Sequence, residues 1–209
     1  MRRESCTNCL RPLKTCICKY IQPTNNHVEL VILQHPLEVH EVKNTARLLN
    51  LCLKNSHIFV GEKFPENFFT TQVKESVELN AGKDFVYDIL LYPDTAEEKS
   101  LGLQSPPQIA DNLNEIPALR LWVLDATWRK SRKMLYLNPE LQAMPRLSLE
   151  DTPPSIYKIR KAHSENQLST LEASCYALRQ LEQNLVDYAP ILKAFSAFIA
   201  EQETFLPSR

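Results

Sequence analysis

Short apolar runs alternate with amphipathic stretches along most of the chain. The runs are rich in branched residues and end at proline or polar positions, as buried strands do. They predict five strands, over residues 28–34, 57–60, 85–92, 119–125 and 146–149. Apolar residues at helical spacing predict helices over residues 41–54, 130–137 and 190–204, and from Ser169 through Leu181. This alternation predicts an α/β fold with a mainly parallel sheet.

The composition is that of a folded chain, and its glycine content excludes some kinds of nucleotide-binding site. Of 209 residues, 44% are hydrophobic and 23% are charged, which argues against disorder. The three glycines, Gly61, Gly82 and Gly102, lie about twenty residues apart. They cannot form a glycine-rich phosphate turn, which excludes the usual dinucleotide site and the P-loop.

Charge is balanced overall but unevenly placed. The chain has 24 basic and 25 acidic side chains. Residues 1–19 contain five basic and one acidic residue, and residues 120–161 contain nine basic and four acidic ones. Two basic segments in a near-neutral protein favour one face that binds a polyanion such as RNA; two ordinary solvated surfaces are the alternative.

No apolar run follows the basic start of the chain, and no stretch approaches the ~20 apolar residues of a membrane helix. We therefore expect a cytoplasmic protein with no membrane partner. Its six cysteines are then thiols or metal ligands rather than disulfides.

Four of the cysteines fall in one short basic segment. Cys6, Cys9, Cys16 and Cys18 form a C-x2-C-x6-C-x-C pattern. Four thiolates satisfy tetrahedral zinc, so the pattern predicts a zinc knuckle over residues 1–22, followed by one domain over residues 23–209. The alternative is four reduced surface thiols. Cys52 and Cys175 lie on apolar helix faces and are expected in the core.

Polar residues follow the predicted strand 119–125, and ligands of α/β sheets bind at such strand ends. Asp125 is a candidate general base, and Trp128 could stack on a nucleobase. Arg129 and Lys130 could bind phosphates. In the plainer interpretation, Asp125 caps the next helix, Trp128 is a core residue and the cations are solvated.

Two other segments show comparable patterns. His35 follows the strand 28–34, and Leu91-Tyr92-Pro93 lies at the end of the strand 85–92. Ser169 and Glu172 fit a capping box, so any chemical role for them requires separate support.

Taken in order, these motifs resemble the DTW-domain proteins, which are named for a D-x-T-W signature. The similarity extends from Cys6 to about Ala173 and comprises the cysteine-rich head followed by HPLE, NTARLL, LYPD, DATWRKSRKM, YKIRK and STLEA. The resemblance implies a SPOUT-like α/β fold with a C-terminal knot that binds S-adenosylmethionine. It further implies transfer of the 3-amino-3-carboxypropyl group to N3 of a uridine in tRNA, with release of 5′-methylthioadenosine.

The resemblance also assigns candidate roles to single residues. Asp125 would be the catalytic base, or would position N3 without acting as a strong base. The cofactor site would be lined by Leu91, Tyr92, Pro93, Thr127, Trp128, Ser169, Thr170 and Glu172. The tRNA substrate would be bound by His35, Arg47, Arg129, Lys130, Arg160 and Lys161. Arg160 and Lys161 could instead bind the carboxylate of the cofactor. An RNA methyltransferase of the same class and a non-enzymatic zinc-knuckle RNA-binding protein are the alternatives, and either a monomer or a homodimer is compatible with these patterns.

Overall fold

In the computed structural model of the chain, the structure describes residues 4–39, 41, 44–71, 86–93, 106–110, 112–116, 118–149, 152–155 and 168–204. The chain divides into two units. The first comprises Met1–Asn26, Lys43–Lys54 and Asp151–Arg209. The second comprises His27–Val42 and Asn55–Glu150. The predicted boundary between residues 22 and 23 stays a prediction.

The second unit is built on a five-stranded sheet in the order β2-β1-β4-β3-β5. Its strands are β1 (Glu29–Gln34), β2 (Ser56–Val60), β3 (Tyr87–Leu91), β4 (Leu119–Asp125) and β5 (Arg146–Leu147). Every neighbouring pair is parallel. The predicted α/β class with a mainly parallel sheet is therefore confirmed, whereas the SPOUT likeness and the knot stay predictions.

Among the described residues, the α-helices with defined bounds are α1 (Ala46–Cys52), α2 (Trp128–Leu137), α3 (Pro139–Gln142), α4 (Thr170–Leu181) and α5 (Ala189–Thr204). The first of them is shorter than the predicted 41–54. It ends at Cys52 because Leu53 is extended and pairs with Thr24. None of the helices in the described part of the chain has the length and apolar character needed to cross a bilayer.

One side of the sheet packs on α2, which begins directly after β4. Trp122 and Leu124 from β4 share a buried cluster with Leu90 from β3 and with Met134 and Leu135 from the helix. Because the apolar stripe of α2 holds it against the strands, its first residue is fixed at the carboxyl end of the sheet.

Candidate functional site

The carboxyl ends of β1 and β4 lie side by side at the centre of the sheet. The register pairs Gln34 with Asp125. The chain leaving β1 goes to β2 on one side, whereas the chain leaving β4 goes to β5 on the other. This reversal is a topological switch point, where open parallel sheets bind their ligands.

Asp125 is held at this point by its neighbour in the register. Gln34 Nε2 donates to Asp125 Oδ2 at 2.8 Å, and the His35 backbone N–H donates to the Asp125 carbonyl at 3.0 Å. Asp125 is 8% exposed and Gln34 is 4% exposed. The N-cap residue of α2 is Thr127, two positions later, and its side chain makes no capping bond. The carboxylate is thus oriented by the strand beside it.

His35 is fixed in one tautomer by two partners. Its Nδ1 accepts from the Leu37 backbone N–H at 3.1 Å, so Nε2 carries the proton and faces Glu62 Oε1 at 3.1 Å. Lys133 Nζ donates to the other oxygen of Glu62 at 2.9 Å. Lys133 and, to a lesser degree, His35 lower the pKa of the Glu62 carboxyl below its ordinary value.

The loop that carries Glu62 is itself anchored to the end of α2. The buried Asn138 side chain donates to the Glu62 carbonyl at 3.0 Å and accepts from the Phe64 backbone N–H at 2.9 Å. His35, Glu62 and Lys133 therefore form a row whose geometry is set by the fold.

The two predicted phosphate-binding residues on α2 differ in their surroundings. Lys130 Nζ donates to Glu38 Oε1 at 2.8 Å, so this ammonium group is already paired. Arg129 is exposed, and among the described residues it has no ion-pair partner. Arg129 is thus the more available of the two for an external anion.

Aromatic rings gather beside Asp125. The Tyr92 and Trp128 rings are stacked, with centroids 5.3 Å apart and planes 11° from parallel. The Arg146 guanidinium carbon lies 5.5 Å from the Tyr92 centroid. Leu91, at the end of β3, is half-buried, and Pro93 and Thr127 are exposed around the stack.

The capping box predicted from the sequence is present in the first unit. Glu172 Oε2 accepts from the Ser169 backbone N–H at 2.8 Å and from Ser169 Oγ at 2.7 Å, and Ser169 Oγ accepts from the Glu172 N–H at 3.2 Å. Ser155 Oγ donates to the same carboxylate at 2.9 Å. These bonds give Ser169 and Glu172 a structural role, with Thr170 half-buried as the first helical residue. The roles of all three at a cofactor stay predictions.

The four N-terminal cysteines come together in the first unit and could hold a metal ion. The Cys6 and Cys18 sulfurs are 3.6 Å apart, and those of Cys9 and Cys16 are 3.7 Å apart. All four sulfurs lie within 4.8 Å of one another. A zinc tetrahedron with Zn–S bonds of about 2.3 Å has edges of about 3.8 Å. The donor set and its spacing therefore fit zinc.

Backbone N–H groups and neighbouring side chains change the pKa values of these cysteines and support their turn. The Cys9 and Asn8 backbone N–H groups donate to the Cys6 sulfur and lower the pKa of that thiol to about 6. Desolvation raises the pKa of the Cys18 thiol to about 12. Arg47 Nη2, on α1, donates to the Asn8 carbonyl at 2.6 Å, and Asn8 Nδ2 contacts the Cys18 sulfur at 3.5 Å. The Cys6-to-Cys9 turn is thus supported from α1.

The structure brings some of the predicted site residues together and separates others. Asp125, His35, Tyr92 and Trp128 lie around the strand ends of the second unit, together with Lys130. Arg47, the cysteines and the Ser169 segment belong to the first unit. Arg160 and Lys161 lie outside the described residues. Cys52 and Cys175 are buried, as expected.

Sequence reasoning gave no role to Glu62 or Arg146. Glu62 follows β2, so the rule that polar residues at strand ends form sites could have found it. No local signal in the sequence indicates a role for Arg146. It lies by the Tyr92 ring because β5 pairs with β3, and these two strands are distant in sequence. Gln34 ends the predicted strand 28–34, but its partner Asp125 is 91 residues away.

The fold places this chain among the α/β proteins whose polar groups collect at the carboxyl edge of a parallel sheet. Its N-terminal segment adds four cysteines that could hold a metal ion. A model of the DTW domain matches residues 3–203, and the chain belongs to the DTW-domain family.

Curated relatives have similar sequences over most of the chain. It is 28% identical to a protein of Macaca fascicularis named tRNA-uridine aminocarboxypropyltransferase 2, over 96% of the chain and 64% of that protein. It is 29% identical to the Mus musculus protein of the same name, with the same coverage, and 29% identical to that of Drosophila melanogaster, over 87% of the chain and 68% of that protein. The chain thus spans 64% of the length of the two mammalian relatives. No solved structure matches the chain.

Proposed function

We propose that this protein transfers the 3-amino-3-carboxypropyl group of S-adenosylmethionine to N3 of a uridine in tRNA. The observation that carries the proposal is the family match along residues 3–203, together with relatives named as tRNA-uridine aminocarboxypropyltransferases. The buried Asp125 at the switch point supplies a carboxylate where such a reaction would occur.

Asp125 has the position of a group that prepares the nucleophile. Uridine N3 bears a proton and attacks carbon poorly until that proton is removed. In the proposed reaction the Asp125 carboxylate accepts the proton, and the N3 lone pair forms the new N–C bond. S-adenosylmethionine supplies the carbon next to its sulfonium, and the C–S electron pair leaves with sulfur as 5′-methylthioadenosine.

Gln34 and His35 set the geometry of this step. The Gln34 amide fixes one carboxylate oxygen, and the His35 backbone fixes the strand end. Orientation of this kind contributes strongly where a good leaving group makes proximity the main requirement. The aromatic pair of Tyr92 and Trp128, with Leu91, Pro93 and Thr127 around it, would line the cofactor.

The tRNA would be bound by exposed cations near the same edge. Arg129 is exposed at the start of α2, beside the Lys130–Glu38 pair. Because N3 lies on the pairing edge of uracil, the target base must be unpaired or extruded from a helix. His35 Nε2 faces Glu62 Oε1 at 3.1 Å and would contribute a polar contact beside the base.

The cysteine cluster would hold one structural zinc ion. Cys6, Cys9, Cys16 and Cys18 supply four thiolates, and nothing in the proposed transfer is routed through the metal. Protein purified without added metal should contain about one zinc per chain by elemental analysis. Cys9→Ser should lose the metal, whereas Cys52→Ala, outside the cluster, should retain it. Zinc near zero in the unaltered protein would contradict this assignment.

The proposed activity is tested by mass spectrometry of nucleosides from tRNA incubated with the protein and S-adenosylmethionine. We expect an aminocarboxypropyl-uridine and an equal amount of 5′-methylthioadenosine. A methylated nucleoside with S-adenosylhomocysteine would instead indicate a methyltransferase. An unmodified tRNA that still binds the protein would indicate a non-enzymatic RNA-binding function.

A further inference from the structure

We propose that Trp128, backed by Tyr92 and Arg146, forms a nucleobase-stacking platform, and that Arg146 is a positioning residue for it. The inference rests on the proposed function for its setting, since it specifies how that site would hold a base. It adds Arg146, and it assigns stacking on a base to the exposed part of the Trp128 ring.

The three side chains come from three different elements. Tyr92 follows β3, Trp128 opens α2, and Arg146 begins β5. The Tyr92 and Trp128 rings are 11° from parallel with centroids 5.3 Å apart, and the Arg146 guanidinium lies over the Tyr92 ring at 5.5 Å. Tyr92 and Arg146 are buried, so the surroundings fix the support on which Trp128 lies.

Trp128 remains partly open although it belongs to a buried stripe. Ser131 and Leu135, three and seven positions later on the same face of α2, are buried. Trp128, the first residue of the helix, nevertheless keeps 37% of its surface exposed. An exposed tryptophan whose orientation is fixed from behind presents a flat aromatic surface to solvent.

The chemistry of the stack favours a base over a cationic ligand. An aromatic face alone attracts cations such as ammonium or sulfonium groups. The Arg146 cation, 5.5 Å from the Tyr92 centroid, opposes a second positive charge on the same stack, whereas a neutral nucleobase meets no such repulsion. Base-on-aromatic stacking tolerates any base, so the adenine of a nucleoside and the uracil of an RNA are both suitable occupants.

The two tryptophans allow the platform to be observed directly. Trp122 is fully buried and donates to Asp88 at 2.6 Å, whereas Trp128 is accessible. Quenching of fluorescence by an added base should therefore report Trp128. In one arm the protein is titrated with 5′-methylthioadenosine, and in the other with a single-stranded oligouridylate. Quenching in one arm or both identifies the source of the base.

Trp128→Ala should weaken binding of the responsive ligand by about 5- to 150-fold, the loss of one stacked base, measured by calorimetry because this variant lacks the fluorescent reporter. Trp128→Phe should retain most of the affinity because it keeps an aromatic face. Tyr136→Ala removes an exposed aromatic ring further along α2 and should change nothing. Affinities unaffected by Trp128→Ala in both arms would overturn the proposal.

Arg146 is tested by Arg146→Met and Arg146→Lys, with Trp122 emission and the melting temperature as folding controls. We expect Arg146→Met to weaken base binding several-fold and to allow a cationic quencher closer access to Trp128. Arg146→Lys keeps the positive charge, so it should again keep the cationic quencher away. Unchanged cationic quenching in Arg146→Met would remove Arg146 from the stack. If Arg146→Met does not fold, Arg146→Lys alone should keep the charge and lose part of the base affinity, and unchanged affinity would count against Arg146.

These binding measurements involve no turnover, so a tRNA left unmodified would end the proposed function without affecting the platform.

Discussion

At the scale of single residues, the site depends on partners that are distant in sequence. Asp125 is oriented by Gln34, and His35 is oriented by Leu37 and Glu62. The position of Asp125 at a strand end could be predicted from the apolar run before it. Its hydrogen-bond partner could not, because a single sequence does not specify which strand lies beside which.

The turn of the cysteine cluster has a testable backbone feature. Leu10 follows Cys9 with a φ of 61°, in the left-handed region that side chains disfavour. Because glycine adopts this conformation without a Cβ clash, Leu10→Gly should keep the zinc and leave the melting temperature within a few degrees. Leu10→Val, with a branched Cβ, should lower the melting temperature and release zinc at a lower chelator concentration.

Leu13 serves as the matched control for these variants, since it is an exposed leucine nearby that lacks a positive φ. Leu13→Val should behave like the unaltered protein. If Leu10→Gly loses zinc as readily as Leu10→Val, the turn does not require the left-handed conformation.

At the scale of elements, the apolar runs and the capping signal were reliable guides. Strands β1 to β4 and helices α4 and α5 lie close to their predicted positions, because each contains an apolar run or stripe that is visible in the sequence. The predicted β5 is shortened to two residues, since only Leu90 and Leu91 pair with it. The strand order had no local signal, because pairing is decided by tertiary packing.

The capping box of α4 should contribute measurable stability. Glu172→Ala would leave the Ser169 N–H and hydroxyl and the Ser155 hydroxyl without their acceptor in a buried place. We expect a loss of about 1–3 kcal/mol in the free energy of unfolding, measured by urea denaturation. Glu115→Ala, which removes a carboxylate on the exposed side of another helical turn, should change stability by less than about 0.5 kcal/mol. Equal effects of the two substitutions would contradict the structural role of Glu172.

At the scale of the whole molecule, the uneven charge predicts how RNA binding responds to salt. Neutralised phosphates release counterions, so affinity should fall steeply as salt increases. Arg129→Ala should reduce the slope of log affinity against log salt concentration by about one, the loss of one phosphate contact. Lys130→Ala should reduce this slope less, because Lys130 is already paired with Glu38. The double variant, with both Arg129 and Lys130 replaced by alanine, should lose more tRNA affinity than either single variant. Filter-binding titrations at several salt concentrations measure the slopes, and an unchanged slope in the double variant would contradict the basic-face assignment.

In the proposed function of the whole molecule, Asp125 prepares the nucleophile at the switch point of the sheet. If Asp125 only caps the helix or is purely structural, Asp125→Asn should have nearly the same transfer rate, because asparagine has the same shape and capping ability. A proton-accepting Asp125 predicts that asparagine fails, because an amide cannot take the N3 proton. Folding and cofactor affinity should be nearly unchanged in either case.

Single-turnover kinetics of Asp125→Asn, with a melting curve as control, distinguish these roles most directly. We expect the rate of aminocarboxypropyl transfer to fall by about 10²–10⁴, the usual contribution of a positioned acid or base. The loss should appear in the rate constant at saturation rather than in the concentration that gives half of this rate, because the missing interaction belongs to the transition state. A rate within a few-fold of the unaltered protein would contradict the account and leave Asp125 as a structural residue.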